Sequence, residues 1–438
     1  MDIEALHNKF FEAKKVYDLD AMTNCLMEAC WTYNQMAKAP KRQPAPKQLL
    51  EILDHINILI YASLKALSDH EGTNARNYIY CALLAQPDLS EKFMHILFIL
   101  AIVNYQIGNF DKADSYINNY MLIRSDLWHD EDEIALFYSG NICVAKDLLH
   151  DAAKAYKKCL DIKKSFTEAV DNLNIVTSII DGKDTRDALK NIHLDIEYSL
   201  LNVDSDDEAA CFNIPIFINA RDRVGVMKQL IDWLLDAGYT NIIILDNKST
   251  YPPLIDYYNS FNNDSRVKVV YLKKNFVFKS IWISGILEEL DIKTPYVYTD
   301  PDVVPIDSCP KNVVQLLLKI LQQNRFIRKA GLGLIYDDIT FYNKDFWQKL
   351  ESSFYHLTDV APNIHFVQLD TTFALYCNCR HYNLRLSIRT VGDLRALHLP
   401  WYFDYDNLPD DERYYIDHAD NLSSSVGTHL RNEKNNSN

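Results

Sequence analysis

The sequence predicts two halves of different class, an all-α amino-terminal domain and an α/β carboxy-terminal domain on a mostly parallel sheet. Three observations carry this. Apolar residues recur at three- and four-residue steps through roughly the first 190 positions, the spacing of one helix face. The acidic run Asp204-Ser205-Asp206-Asp207-Glu208 then interrupts the pattern, as a solvated linker does. Beyond it, short β-branched and aromatic runs alternate with amphipathic stretches, the texture of a doubly wound sheet. A length of 438 residues also exceeds what one ordinary core organises. The expected boundaries are 1–200 for the helical domain, 201–210 for the linker, 211–425 for the α/β domain and 426–438 for a polar tail.

In the helical half, Leu49, Leu50, Ile52, Leu53, Ile56, Leu59, Ile60 and Leu64 keep the helical spacing, after Pro40, Pro44 and Pro46 have broken the chain. Two stretches resemble tetratricopeptide repeats. One runs through Ala101, Tyr105, Gly108, Phe110, Ala113 and Tyr116. The other runs through Gly140, Leu149, Ala152, Tyr156 and Cys159, with Asp147 where the turn glycine usually falls. Ala113 and Ala152 stand 39 residues apart, longer than the usual repeat of about 34, so the connection near Asp126 to Glu133 is expected to be extended. Two readings stand for this array. It binds a protein partner, orients an acceptor or mediates self-association, or it simply packs on the α/β domain.

Composition narrows the function. A formal charge of −15 argues against sequence-independent nucleic-acid binding. With 11 glycines, most routes to a Gly-rich phosphate loop are closed. Met1-Asp2-Ile3-Glu4 lacks the features of a signal peptide, and the apolar run Ile96 to Val103 is too short to span a bilayer. Nine scattered cysteines read as reduced thiols. Cys377-x-Cys379 with His381 would suggest zinc, but no second ligand pair completes a tetrahedral site. The expected location is the cytoplasm, with peripheral association at the inner face of the membrane left open.

In the second half, strands are expected at Ile214 to Ile218, Asn241 to Leu245, Val267 to Leu272 and Tyr296 to Tyr298. An amphipathic helix follows the first from about Val224 to Ala237, stopped by Gly238. Ligands of such sheets bind beyond the carboxyl ends of the strands, which directs attention to Asn219-Ala220-Arg221-Asp222, Asp246-Asn247-Lys248-Ser249, Lys273-Lys274-Asn275 and Asp300-Pro301-Asp302. No Gly-x-Gly-x-x-Gly follows the first strand, which argues against a dinucleotide-dependent dehydrogenase. Asp300 and Asp302, at alternate positions of an extended segment, point to one side. Together they can share one hard divalent cation and, through it, a nucleotide diphosphate. A turn or helix cap is the plainer use of Asp-x-Asp; its place fourth in an α/β series favours the metal.

From about Asn213 to His418 the chain resembles bacterial family-2-type glycosyltransferases with the GT-A fold. The resemblance rests on Ile214 to Asp222, Ile244 to Ser249, Asn275 to Gly285, Tyr298 to Pro305 and Arg395 to Tyr402. It implies a Rossmann-like GT-A domain that moves a sugar from a nucleotide-diphosphate donor, a UDP-sugar by preference, with manganese or magnesium. The acceptor would be a saccharide, a lipid-linked glycan or a protein, and bacterial surface polysaccharide synthesis is the pathway implied. Asn219 and Arg221 would lie against the nucleotide, with Asp246 and Asn247 at the base or ribose and Lys279 and Trp282 near the phosphates and ribose. His398 matches a late histidine that completes the metal site.

The acceptor side is open between two places. Asp370 would be the base that deprotonates the acceptor hydroxyl, or the N-cap of the apolar segment after it. Asp337 or Asp338 would bind donor-sugar hydroxyls. The competing classes are a nucleotidyltransferase, for which Asn219 to Gly225 makes a poor triphosphate loop, and a helical-repeat binding protein with an inactive transferase domain.

Overall fold

The computed structural model describes residues 2–39, 44–128, 132–196, 201–340, 344–355, 358–382 and 384–418. Pro40, part of the 126–133 connection and the expected tail 426–438 lie outside them. The helical spacing of the first half resolves into α1 (Ile3–Lys15), α2 (Leu19–Lys38), α3 (Lys47–Leu53), α4 (Asn57–Ser68), α5 (Gly72–Ala85), α6 (Leu89–Lys92), α7 (His95–Gln106), α8 (Phe110–Trp128), α9 (Glu133–Ala145), α10 (Leu149–Ile162) and α11 (Thr167–Ile180). Aspartates start several of them. Asp2, Asp18 and Asp132 accept backbone N–H groups of the first turns of α1, α2 and α9, satisfying donors that have no partner within the helix.

The pairs α7/α8 and α9/α10 are the two tetratricopeptide-like hairpins. Gly108 makes the first turn at φ +78° and Asp147 the second at +62°, so an aspartate does take the left-handed position of the turn glycine. A Cβ at Gly140 would fall inside the Tyr156 ring. The absence of a side chain there is what lets α9 and α10 close on each other.

The second half adds α12 (Glu208–Phe212), β1 (Ile216–Ala220), α13 (Val224–Ala237), β2 (Ile242–Asp246), α14 (Pro252–Asn259), β3 (Val267–Tyr271), α15 (Ser280–Ile283), α16 (Ile286–Glu289), β4 (Tyr296–Thr299), β5 (Val303–Pro305), α17 (Val313–Gln322), β6 (Lys329–Leu334), α18 (Lys344–Tyr355), β7 (Asp359–Ala361), β8 (Ile364–Phe366), β9 (Ala374–Tyr376), β10 (Ser387–His398) and α19 (Asp410–His418). Side chains alternate between the two faces of the central strands. Ile216, Ile218, Ile242, Ile244 and Val297 enter the main core, while Phe217, Ile243, Leu245, Tyr296 and Tyr298 form a smaller aromatic core on the other face.

The sheet runs β3-β2-β1-β4-β9-β6-β10-β8-β7, with β5 paired to β10. The expectation of a mostly parallel sheet holds for β1 to β4 and fails beyond them. β9 enters antiparallel between β4 and β6, and β5, β7 and β8 are also antiparallel to their neighbours, so the sheet is mixed. Gly331 explains how β9 fits, since a Cβ there would collide with Ala374 and the Phe373 carbonyl.

The acidic segment lies along α17 rather than standing clear of the fold. Asp207 caps α12, Asp206 pairs with Lys319 at 2.9 Å, and the Ser205 carbonyl accepts from Gln315. The main core is continuous across the two halves, with Phe98 against Phe326 and Tyr61 against Phe366.

Buried charge ties the halves at the loop that follows β9. Glu133 Oε1 accepts from the Arg380 backbone N–H at 2.6 Å, and its Oε2 lies 2.7 Å from His381 Nδ1. His381 Nε2 is 3.6 Å from Asp132. Arg124 donates to the Tyr382 carbonyl and Lys163 to the Asn378 carbonyl. Cys377 and Cys379 are buried free thiols. Asp132, Glu133 and His381 lie within 4.8 Å of one another, but burial, which opposes charge on the ring, is overcome by the two carboxylates, and the imidazole titrates at about 9. In this protonation state the three side chains form a buried ion triad.

Because the folded value exceeds the unfolded one of about 6.5, this stabilisation is complete below about pH 6.5 and is lost as pH rises through about 9. His381→Gln should lower the melting temperature at pH 6 and flatten the fall between about pH 6.5 and 9. Parallel pH profiles for both proteins would refute the charged triad.

Candidate functional site

In the strand order β2-β1-β4, the chain leaves β1 for a neighbour on one side and later returns to its other side. The sheet opens a crevice at such a switch point, beyond the carboxyl ends of the strands. A cleft of about 900 Å³, counted out to its open mouth, lies there. Asn219 at the end of β1, Arg221 and Arg223 just after it, Asn247 after β2, and Asp300 and Asp302 after β4 all line it. His398 arrives from elsewhere in the chain. The antiparallel register of β5 with β10 sets it opposite Val303, and the Leu399 N–H binds the Asp302 carbonyl at 2.9 Å.

Asp300 is the centre of a hydrogen-bonded set. Its Oδ1 accepts from Asn219 at 3.3 Å and its Oδ2 from the Thr371 hydroxyl at 2.6 Å. Asn219 Oδ1 in turn accepts from Ser280 and from the Asn247 amide, and Asn247 Oδ1 accepts from the Phe276 N–H. Burial, and then the neighbouring charge of Asp302, raise the Asp300 carboxyl to about 7.

Asp302 behaves oppositely. Burial pushes its carboxyl up, but the charges of Arg223 and His398 outweigh it and hold the group below the usual carboxylate value. Arg223 NH1 meets Asp302 Oδ2 at 2.5 Å, and its Nε meets Glu412 at 2.7 Å. The Tyr415 ring packs on the same guanidinium at 4.9 Å. Helix α19 thus reaches the cleft through Glu412 and Tyr415, and Asp411 fastens it by accepting the Gly225 N–H at 2.7 Å.

The site's fit to a divalent cation is mixed. Asp302 Oδ1 and His398 Nδ1 are buried without a hydrogen-bond partner among the described residues, and a carboxylate oxygen so placed suits a cation. His398 Nε2 lies 3.5 Å from Asp302 Oδ2. Yet Asp300, Asp302 and His398 do not bring one ligand atom each within 4.8 Å of the other two, and Arg223 sits on the second oxygen of Asp302. The expected three-ligand corner is therefore not assembled.

Several other expected residues fall outside the cleft lining. Asp246 is turned to structural use, its carboxylate accepting from the Ser249 N–H and the Tyr258 hydroxyl. Trp282 donates to the Tyr296 hydroxyl and packs among Tyr298, Tyr376 and Tyr382. The Lys279 ammonium lies 5.9 Å from the Phe278 and Tyr382 rings. Asp338 accepts from Tyr402 at 2.7 Å, and the neighbouring Asp337 gives its carbonyl to Gln348.

Asp370, exposed beside Thr371, accepts from the Tyr382 hydroxyl at 3.0 Å. Behind it, burial lowers the Lys329 ammonium to about 7, and that group donates to the Tyr376 hydroxyl at 3.1 Å. Arg223, Glu412, Tyr415, Thr371 and Lys329 were not singled out by sequence. Arg223 alone left a trace, as the second arginine after β1. The others reach the site by tertiary packing.

No family model matches the chain, and no curated protein matches it. Among solved structures, the chain aligns with a mutant O-GlcNAc transferase from Thermobaculum terrenum at 11% identity and a TM-score of 0.24, over 49% of this chain and 41% of that one. The chain thus spans less than half the length of that protein, and an overlap of this quality carries no argument about fold or activity.

The raised Asp300 carboxyl gives a measurable sign. An unfolded aspartate titrates near 3.9, so folding takes up a proton between about pH 4 and 7, and stability present in acid is lost as pH rises through about 7. In EDTA, Asp300→Asn should melt close to the parent at about pH 4 and above it at about pH 8. A gap that does not vary with pH would contradict the assignment.

Proposed function

We propose that this protein is a nucleotide-sugar-dependent glycosyltransferase with a GT-A-type domain. One observation carries the reading. Two arginines and two aspartates, drawn from the ends of β1 and β4, share a cleft at the switch point of the sheet. Arginines there suit a diphosphate, because a guanidinium offers several N–H donors and keeps its charge at any working pH.

The donor diphosphate would lie against Arg221 and Arg223, with Asn219 and Asn247 toward the nucleoside. When it departs with the nucleoside, the cations near it balance the charge that develops on its leaving oxygen. A manganese or magnesium ion, where one is bound, would be held through Asp302 and Asp300 and would supply further charge neutralisation. His398, beside Asp302, is a candidate third ligand. Asp370 would take the proton of the acceptor hydroxyl. Its link to Asp300 through Thr371 keeps it near the donor side, and Tyr382 orients it. The helical half, joined to the loop that carries Tyr382, would present the acceptor.

A second reading has its own support. Arg223 sits on Asp302 where a metal would otherwise bind, so the arginines would serve as the cations without any ion.

A thermal-shift panel of nucleotide sugars with and without manganese separates these readings, because a ligand stabilises the state it binds. Stabilisation by one UDP-sugar that depends on manganese supports the metal-assisted enzyme. The same shift in EDTA supports the arginine-only form. No response to any nucleotide sugar would overturn the transferase reading.

Asp302→Asn is a cleaner variant than Asp302→Ala, since an amide can still accept from the buried Arg223. If the metal is used, it should weaken apparent manganese affinity by more than about 100-fold, beyond the range for outer partners of a metal ligand. Unchanged affinity would remove Asp302 from the site.

A further inference from the structure

A second cavity, of about 660 Å³ counted out to its mouth, lies at the seam between the halves and shares no lining residue with the donor cleft. The end of α4 (Ser68), α9 (Tyr138) and the segment from Gln322 to Arg328 contribute to its wall. We infer that it is a binding site for a phosphate-type oxyanion, held by Arg328 with Arg325.

Arg328 is 1% exposed, and its Nε, NH1 and NH2 are all buried with no hydrogen-bond partner among the described residues. It forms no ion pair among the described residues. Its charge is felt by the buried Asp132 carboxylate, but N–H groups that lack acceptors away from water are costly. The Phe98 ring lies 5.3 Å from its central carbon and can cover a flat face of the group, but it accepts none of the in-plane N–H bonds.

Arg325, three residues earlier, is only partly satisfied. One nitrogen donates to Asp195 at 2.7 Å and to the Leu67 carbonyl at 3.1 Å, while its Nε is buried without an acceptor. Four buried nitrogens on two arginines of one cavity therefore lack acceptors among the described residues. The five N–H groups of Arg328 outnumber what the two oxygens of a carboxylate would take up in one plane. A tetrahedral phosphate offers more oxygens and suits the guanidinium fork. Bound there, it would bridge the helical half and the sheet half. The inference does not rest on the transferase reading.

The full-length protein is melted in sodium phosphate and in sodium chloride of matched ionic strength, and phosphate binding is followed by calorimetry. Phosphate should raise the wild-type melting temperature saturably by several degrees, and acetate should do so much less. Arg328→Met replaces the charge with an apolar chain of similar length. It should melt above the wild type in chloride, lose the phosphate response, and so reverse the order in phosphate.

Three results would overturn the site. They are a phosphate response of Arg328→Met equal to the wild type, which places the anion in the donor cleft, a loss of stability by that variant in chloride alone, and acetate acting as strongly as phosphate. Arg328→Lys, which keeps the charge but not the fork, should bind phosphate at least about tenfold more weakly. Unchanged affinity in that variant also refutes it.

Discussion

The fold depends on a buried charged seam. Asp132 caps α9 through one carboxylate oxygen and faces His381 with the other, and Glu133 beside it holds both the backbone and the ring of the loop after β9. One helix start therefore fixes a loop from the far end of the sheet. Removing one partner from such a set leaves a charge in a medium that solvates it poorly, which makes the relative position of the halves specific rather than merely adhesive. The same loop carries Tyr382, whose hydroxyl meets Asp370. Packing of the helices is thereby linked to the Asp370 carboxylate through a few covalent bonds.

At the cleft the governing constraint is again charge without water. Asp300 and Asp302 are close enough to repel, and the site resolves this by unequal treatment. Asp302 receives a guanidinium, while Asp300 receives only neutral donors and retains its proton more tightly. A ligand that brings positive charge would relieve Asp300, and one that brings negative charge would draw on Arg221 and Arg223.

How much of this was legible in the sequence follows from the range of each interaction. β1 to β4, α13 with Gly238 at its end, and the two turn positions Gly108 and Asp147 depend on local pattern and backbone preference, and they read directly. The antiparallel entry of β9 did not, because three residues, Ala374 to Tyr376, carry too short a pattern to show a direction. Asn219, Arg221, Asn247, Asp300 and Asp302 reach the cleft because positions after parallel strands converge by topology, while His398 is brought there by the pairing of β10 with β5. Asp246 and Trp282 were read as ligand-facing, but Tyr258 and Tyr296 engage them first, and no spacing along the chain announces a hydroxyl donated from a distant element. Arg328 was invisible for the same reason. A buried arginine and an exposed one look alike until the partners are counted.

Helix α19 closes one wall of the cleft beyond β1 and β4, and it is the last element described. Arg223 precedes Glu412 by nearly two hundred residues, so of its two carboxylate partners Asp302 is made first and Glu412 last. That wall of the cleft is therefore supplied last, after every strand end that faces it has been made.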